Sequence, residues 1–328
     1  MRVPYDQLKA EFERVLMSLG ISFDIAQKCA TVFADNSRDG VQSHGLNRFP
    51  VFVQYIKEGL VNPHAMPTLT GSLGALEQWD GNLGPGMLNA GFCMERALLL
   101  AANNGIGCIA LKNTNHWMRG GTYGLQAAEA GYIGLCFTNT TANMPPWGGT
   151  EPRLGNNPLV IAIPKAGGHV VLDMAMSQFS FGKLGQYQND QKPLPVAGGY
   201  DHDGNLTTDA TAIKQSRRAL PIGFWKGSGL SIVLDLLATV LSGGNSTASI
   251  SQSGKKETGV SQVFIAIKTD AEKNAELINE IITYTKSGET IEGQEILYPG
   301  ENMLRTRKQN LTQGVWVDNE AWDKLLSL

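Results

Sequence analysis

The stretch Arg38-Asp39-Gly40-Val41-Gln42-Ser43-His44-Gly45-Leu46-Asn47-Arg48-Phe49-Pro50 carries the densest chemistry in this chain. A histidine stands beside a serine and a glycine, and an arginine follows within one helical turn. A helix over residues 46–59 would set His44 and Arg48 at its entrance, where both can point the same way. Such a pair joins a proton donor that titrates near neutral pH to a fixed cation that grips a carboxylate with two parallel hydrogen bonds. Each residue alone has an ordinary explanation. A lone histidine at a helix entrance is more often structural, and a helical arginine usually belongs to the solvated surface.

Other polar, glycine-rich turns fall at the ends of apolar segments. They are Asn113-Thr114-Asn115-His116-Trp117-Met118-Arg119-Gly120-Gly121, Met144-Pro145-Pro146-Trp147-Gly148-Gly149, and Arg153-Leu154-Gly155-Asn156-Asn157-Pro158. Further on come Leu172-Asp173-Met174-Ala175, Trp225-Lys226-Gly227-Ser228-Gly229-Leu230 and Pro299-Gly300-Glu301-Asn302. Glycine at a helix entrance lets a phosphate approach the free backbone N–H groups, and Lys226 would add charge there. Taken singly, each reads as an ordinary turn.

The elements that must position these residues follow from periodicity. Leu8, Phe12, Val15, Leu16 and Leu19 share one face of a helix over 5–19 that Gly20 ends. Ile25, Cys29, Val32 and Phe33 give a second helix that delivers the chain to His44. With the third helix, they make a helical layer whose exit Pro63, Pro67 and Gly71 punctuate. Helices and strands then alternate: helices over 87–104, 123–130, 228–241 and 270–286, strands over 106–111, 132–137, 159–163, 170–172 and 262–267, and a last short helix over 319–326. This order predicts an α/β or α+β sheet domain carrying a helical subdomain.

Bulk properties narrow the function. The chain has 328 residues, 42% hydrophobic and 17% charged, enough for a large core. A net charge of −3 without a basic cluster gives nucleic acid no footprint, since Lys255-Lys256 and Arg217-Arg218 are isolated pairs. The apolar run 230–241 is too short for a membrane span and contains Asp235. The start, Met1-Arg2-Val3-Pro4-Tyr5, lacks the regions of a signal peptide. Cys29, Cys93, Cys108 and Cys136 lack metal-ligand spacing and read as reduced thiols, which predicts a cytoplasmic protein. His44, His64, His116, His169 and His202 are widely spaced, so no metal is expected.

The dinucleotide fingerprint fails. Gly105-Ile106-Gly107-Cys108-Ile109-Ala110 matches G-x-G-x-x-A in letters, but it follows a helix and opens a strand, the reverse of the required order. Gly182-Lys183 lacks the rest of a P-loop, and H-E-x-x-H and G-x-S-x-G do not occur.

In this order, Ser43-His44-Gly45 with Arg48, Asn115-His116, Gly155-Asn156-Asn157-Pro158, Leu172-Asp173-Met174, Lys226-Gly227-Ser228-Gly229-Leu230 and Pro299-Gly300-Glu301 resemble the malate/L-lactate/sulfolactate dehydrogenase family along essentially the whole chain. The strings at 44–50, 77–80, 115–121 and 144–148 are similar to a branch of it that reduces a 2-oxo sugar acid. The resemblance implies a non-Rossmann fold, with a mixed, mostly antiparallel sheet flanked by helices and a helical N-terminal subdomain. It divides the chain into residues 1–70, joined by 303–328, and a cofactor domain at 71–302. It also implies a homodimer with the active site near the interface, and NAD as cofactor, NADH preferred over NADPH. Cofactor contacts would come from His169, Val170, Val171, Leu172, Asp173, Met174, Ala175, Trp225, Lys226, Gly300, Glu301 and Asn302.

In that setting His44 is the acid that protonates a carbonyl oxygen, with Ser43, itself placed among the substrate-binding residues, or a backbone group orienting its ring. Arg48 holds the substrate carboxylate, and His116 and Arg119 take substrate hydroxyls or a second carbonyl. Trp117 and Trp147 would wall the pocket and exclude water, or else belong simply to the core. The competing readings are another 2-hydroxy-acid dehydrogenase of the same family (malate, lactate, ureidoglycolate or sulfolactate type), a non-catalytic sugar-acid or nucleotide-binding protein, or a metal-dependent sugar-acid lyase.

Overall fold

The structure, a computed structural model, describes residues 1–252, 254 and 256–328. Lys255, half of one basic pair, lies outside the described residues. In chain order the helices are α1 (Tyr5–Ser18), α2 (Phe23–Arg38), α3 (Phe49–Lys57), α4 (Gly86–Asn104), α5 (Gly121–Glu129), α6 (Phe181–Asn189), α7 (Ala210–Ser216), α8 (Trp225–Ser242), α9 (Thr247–Gln252), α10 (Ala275–Lys286), α11 (Glu301–Gln313) and α12 (Asn319–Leu326). The strands are β1 (Arg2–Val3), β2 (Thr68–Leu73), β3 (Leu76–Asp80), β4 (Ile106–Asn115), β5 (Tyr132–Thr138), β6 (Leu159–Ile163), β7 (Val170–Met174), β8 (Gly199–Tyr200), β9 (Leu206–Thr207), β10 (Thr258–Lys268) and β11 (Val315–Trp316).

The apolar faces of α1, α2 and α3 close on one another through Phe12, Phe33, Phe49 and Phe52, with the Phe12 and Phe49 rings 4.6 Å apart. Burying each such ring contributes roughly 1.5–3 kcal/mol. The chain's end returns to this layer. Val315, Val317, Trp322 and Leu325 join the same cluster, and β11 pairs with β1.

The third helix departs from expectation. Gln42–His44 and Leu46–Arg48 are separate 3-10 turns joined at Gly45, and the α-helix begins only at Phe49. Gly45 adopts φ −108° and ψ −122°, which breaks the helix. It also lies so close to α2 that a Cβ there would meet Ser37 Oγ at 2.2 Å. Pro50 then sits in the first turn of α3, where its missing N–H costs nothing.

The main sheet has seven strands in the order β2-β3-β4-β10-β5-β6-β7. β3 and β4 run parallel and the other neighbours antiparallel, so the sheet is mixed and mostly antiparallel. Strand alternation sorts its two faces. Ile109, Leu111, Phe264 and Ala266 meet α4 and α5, whereas Ala110, Val263 and Ile265 meet α8. Gly105, in the left-handed region at φ 81°, closes α4 immediately before β4. The rejected fingerprint is therefore a helix stop and a close helix–strand contact.

The periodicity does not anticipate β1, β2, β3, α6, β8, β9, α7, α9, α11 or β11, and two of these show why. β2 is exposed along most of its length, so it lacks a buried alternation, and Gly71 lies inside it at a register shift. α11 is polar, with Asn310 its one buried residue, so it has no apolar stripe to find. The apolar α8 also packs unexpectedly. Gly227, Ser228, Ser231, Leu234, Ala238 and Ser242 turn inward, while Leu230, Val233, Leu236, Leu237 and Val240 face out.

Candidate active site

Between the helical layer and the sheet lies a cavity of about 1690 Å³. Ser43, His44, Arg48, His116 and Arg119 all line it. Ser43 and His44 arrive from the 3-10 turn that follows α2. The His44 carbonyl accepts a hydrogen bond from Asn36 Nδ2 (3.0 Å), and Leu46 N–H donates to Ser37 Oγ (3.0 Å), so α2 holds the turn at both ends. Ser43 Oγ lies 2.9 Å from His44 Nδ1.

His116 follows Asn115 at the end of β4. Asn115 Nδ2 is aimed at the carbonyls of Leu60, Leu83 and Gly84, which pins the turn. His116 Nδ1 accepts the Met118 N–H (3.0 Å), with Met118 held at φ 66°. A neutral His116 therefore carries its proton on Nε2, which lies 3.6 Å from Glu257 Oε1.

Arg119 is buried. It donates to Asp39 Oδ2 (2.9 Å) and lies 3.8 Å from Asp173. Asp39 also accepts from Arg38 (2.9 Å) and, through both carboxylate oxygens, from Arg307 (2.8 and 2.7 Å). One carboxylate thus ties α2, the turn before α5, and α11.

The electrostatics differ from a histidine poised near neutrality. Burial, with the positive charges of Arg48 and Arg119, pulls His44 down to about 4. Burial, Arg48 and His44 together push His116 well below its ordinary value. In the substrate-free site both rings are neutral at pH 7. The proton-donor role expected for His44 then requires that a bound anion offset Arg48 first.

The strand β7 supplies one wall by alternation: Val171, Asp173 and Ala175 line the cavity, while His169, Val170, Leu172 and Met174 do not. Asp173 accepts the Gly121 N–H (2.8 Å), and burial raises its carboxyl, against the pull of Arg119 and that N–H. Val171 N–H donates to Pro299 O (2.9 Å), which lays the start of α11 along β7. Gly300, at φ 97°, and Asn302 line the cavity there. Glu301 turns away, to Lys286 (2.7 Å) and Arg305 (2.8 Å).

Three more expected residues stand apart from the wall. Trp225 and Lys226, at the start of α8, do not line it, and Trp225 is 65% exposed. Ile222 N–H donates to Met176 O (2.8 Å), so the start of α8 still adjoins the strand end at Ala175. Trp147 is 51% exposed with its ring 5.2 Å from Phe224, and does not wall the pocket. Trp117 does line it, from within the core.

Asp39, Glu257, Gln262 and Tyr298 were not singled out from the sequence. Asp39 lies inside the opening stretch, yet one acidic side chain does not announce three arginine partners. Glu257 and Gln262 belong to a segment far from any motif, and Tyr298 stands just before the quoted Pro299-Gly300-Glu301 turn. Gln262 Nε2 donates to Asn115 O (3.2 Å), and its buried Oε1 has no partner among the described residues.

The fold and this cavity suit a nicotinamide dinucleotide beside a small acid. The volume exceeds that of a drug-sized pocket, and Gly300, whose Cβ would lie 3.1 Å from His169 O and Val171 N, lets the start of α11 close on β7 along one wall of it. The family model for malate/L-lactate dehydrogenase matches residues 3–326, and the chain belongs to that family of nicotinamide-dependent oxidoreductases. It is 47% identical over 333 residues to the 2,3-diketo-L-gulonate reductase of Mannheimia succiniciproducens and 48% identical over 334 residues to that of Escherichia coli K12, in each case covering 100% of both chains. Among solved structures it is similar to sulfolactate dehydrogenase from Methanocaldococcus jannaschii, with a TM-score of 0.89, 30% identity, and 99% and 95% of the two chains covered. It is also similar to malate dehydrogenase from Pyrococcus horikoshii OT3, with a TM-score of 0.90, 30% identity, and 100% and 94% covered. Among the described residues, no helix is long and apolar enough to cross a membrane.

Proposed function

We propose that the chain reduces a 2-oxo sugar acid, 2,3-diketo-L-gulonate to 3-dehydro-L-gulonate, with NADH preferred. The carrying observation is the convergence of His44, Arg48 and His116 on the same cavity as Val171, Asp173, Gly300 and Asn302. The names of the relatives at 47–48% identity supply the substrate.

The bound nicotinamide supplies a hydride. Arg48 binds the substrate carboxylate through its planar fork and sets the carbonyl at a fixed distance. Neutralising Arg48 in this way raises the proton affinity of His44, which then donates from Nε2 as negative charge builds on the carbonyl oxygen. Ser43 holds the ring by Nδ1. Arg119, fixed by Asp39, adds positive charge to the same wall.

The parts divide accordingly. Residues 1–70 and 303–328 form the layer carrying His44, and 71–302 the cofactor domain. The outward apolar side of α8, with Val240 73% exposed, is the face of a homodimer whose border adjoins the site through the start of α8. The four unpaired cysteines fit a reducing cytoplasm.

The test is a panel of 2-oxo and 2,3-dioxo acids assayed with NADH and NADPH, with and without a chelator. Chelator-insensitive oxidation of NADH, fastest with the 2,3-dioxo sugar acid, is expected. Tight binding without turnover would replace this reading with a binding protein.

A further inference from the structure

Glu257 stands at the mouth of β10, in a run whose neighbours are anchored on both sides. Lys256 Nζ pairs with Glu58 at the end of α3, and Thr258 Oγ1 donates to Asn115 Oδ1 (2.9 Å). Between those anchors the Glu257 side chain lines the cavity. One of its oxygens lies 3.6 Å from His116 Nε2, the nitrogen that carries the proton because Nδ1 is occupied by the Met118 N–H. Among the described residues, His116 is the single ion-pair partner of this carboxyl. The second oxygen has no protein partner there.

We propose that Glu257 is a specificity-determining residue, a neutral carboxylic acid backed by His116 whose O–H donates a hydrogen bond to the oxo oxygen next to the reacting carbonyl. This rests on the reductase reading of the site. A 2,3-dioxo acid presents two adjacent oxygen acceptors, and His44 serves only one of them. An ionised carboxylate in this place would repel an anionic substrate rich in carbonyl lone pairs, whereas a neutral acid answers the second oxygen with a donor.

The surroundings favour the neutral form. Burial raises the Glu257 carboxyl, with Arg48 pulling the other way. The groups facing the pair are Arg48, His44 and, beyond it, Arg119, while Lys256 is turned to Glu58. A substrate carboxylate on Arg48 removes the one charge that holds the proton affinity of Glu257 down, so binding reinforces the donor.

The experiment compares kcat/KM for a 2,3-dioxo acid and for the matching 2-oxo acid with a methylene at the third carbon, across pH, in wild type, Glu257→Gln and Glu257→Leu. In wild type the preference for the dioxo acid falls as pH rises through the ionisation of Glu257. Glu257→Gln lowers kcat/KM severalfold but keeps a preference that no longer varies with pH, because its amide N–H donates and does not ionise. Glu257→Leu loses about tenfold or more of the preference, as expected for one lost hydrogen bond to the substrate. NADH binding and thermal unfolding of Glu257→Leu check its fold, and if it does not fold the pH arm of Glu257→Gln decides. Wild-type preference in Glu257→Leu, or a wild-type pH decline in Glu257→Gln, overturns the proposal. If wild type turns over neither acid, the reductase reading fails instead. The same preference and pH dependence are then read from calorimetric binding of the two acids, and their absence there overturns the role of Glu257.

Discussion

The imidazole rings of His44 and His116 lie 5.5 Å apart, their planes inclined by 22°, and they are not equivalent. His116 has one nitrogen on a backbone N–H and the other facing Glu257. His44 has only Nδ1 engaged among the described residues, by Ser43, which leaves Nε2 for the cavity. The pair therefore separates a ring able to give up a proton from one held in place.

Replacing His44 by Ala or Gln should cut kcat by roughly two to four orders of magnitude, the usual yield of positioned acid catalysis. NADH binding, followed by fluorescence, should barely change. Because substrate-free His44 titrates at about 4, the alkaline limb of kcat/KM should lie at lower pH than that of kcat, which reports the complex with Arg48 neutralised. Both limbs depend on loss of the same proton as pH rises, so both should vanish in the variant. A His44→Ala enzyme with near-normal turnover and both limbs intact would move the acid to another residue.

Arg48→Lys keeps the charge and loses the planar fork. KM for the 2-oxo acid should rise strongly, with a smaller change in kcat. An ester analogue of the substrate should bind wild type poorly and lose little more with Arg48→Ala. Additive losses from the two changes would place the carboxylate elsewhere.

Asp39→Ala removes the acceptor shared by Arg38, Arg119 and Arg307. Leaving those cations without it should cost about 3–5 kcal/mol of stability and displace Arg119. Burial pushes the Asp39 carboxyl up, but hydrogen bonding from Arg307 and the charges of Arg38 and Arg307 outweigh it and hold the group below its usual range. Its contribution is therefore complete above the unfolded carboxylate pKa of about 3.9 and is lost as pH falls through the lower folded value. Denaturant melts of wild type and Asp39→Asn down to pH 3 should converge as the pH drops, and parallel curves would contradict this.

Val240→Asp places a charge on the outward apolar side of α8, away from the sheet. Light scattering should report a shift from dimer to monomer, and activity should decline with mass on dilution. A variant that keeps the wild-type mass at every concentration would remove this face from the proposed dimer.

Much of this protein is written locally. Leu8, Phe12, Val15 and Leu16 recur at the helical period, and the structure buries all four in α1. Gly105 ends α4 because glycine enters the left-handed region without a Cβ penalty. His44 and Arg48 reach the same cavity because they are near neighbours in sequence, although two 3-10 turns replace the expected helix between them.

What no local pattern contains is convergence. Asp39 meets Arg119 and Arg307, and His116 meets Glu257, only because the sheet and helical layer close on each other. The apolar letters of α8 predict a helix, yet Gly227, Ser228, Ser231, Ala238 and Ser242 turn inward with Leu234, while Leu230, Val233, Leu236, Leu237 and Val240 face outward. Backbone geometry sets a period that a sequence displays directly. Which face of α8 is covered, and which distant charges meet, depends on how separate segments pack, and that was decided by the tertiary structure alone.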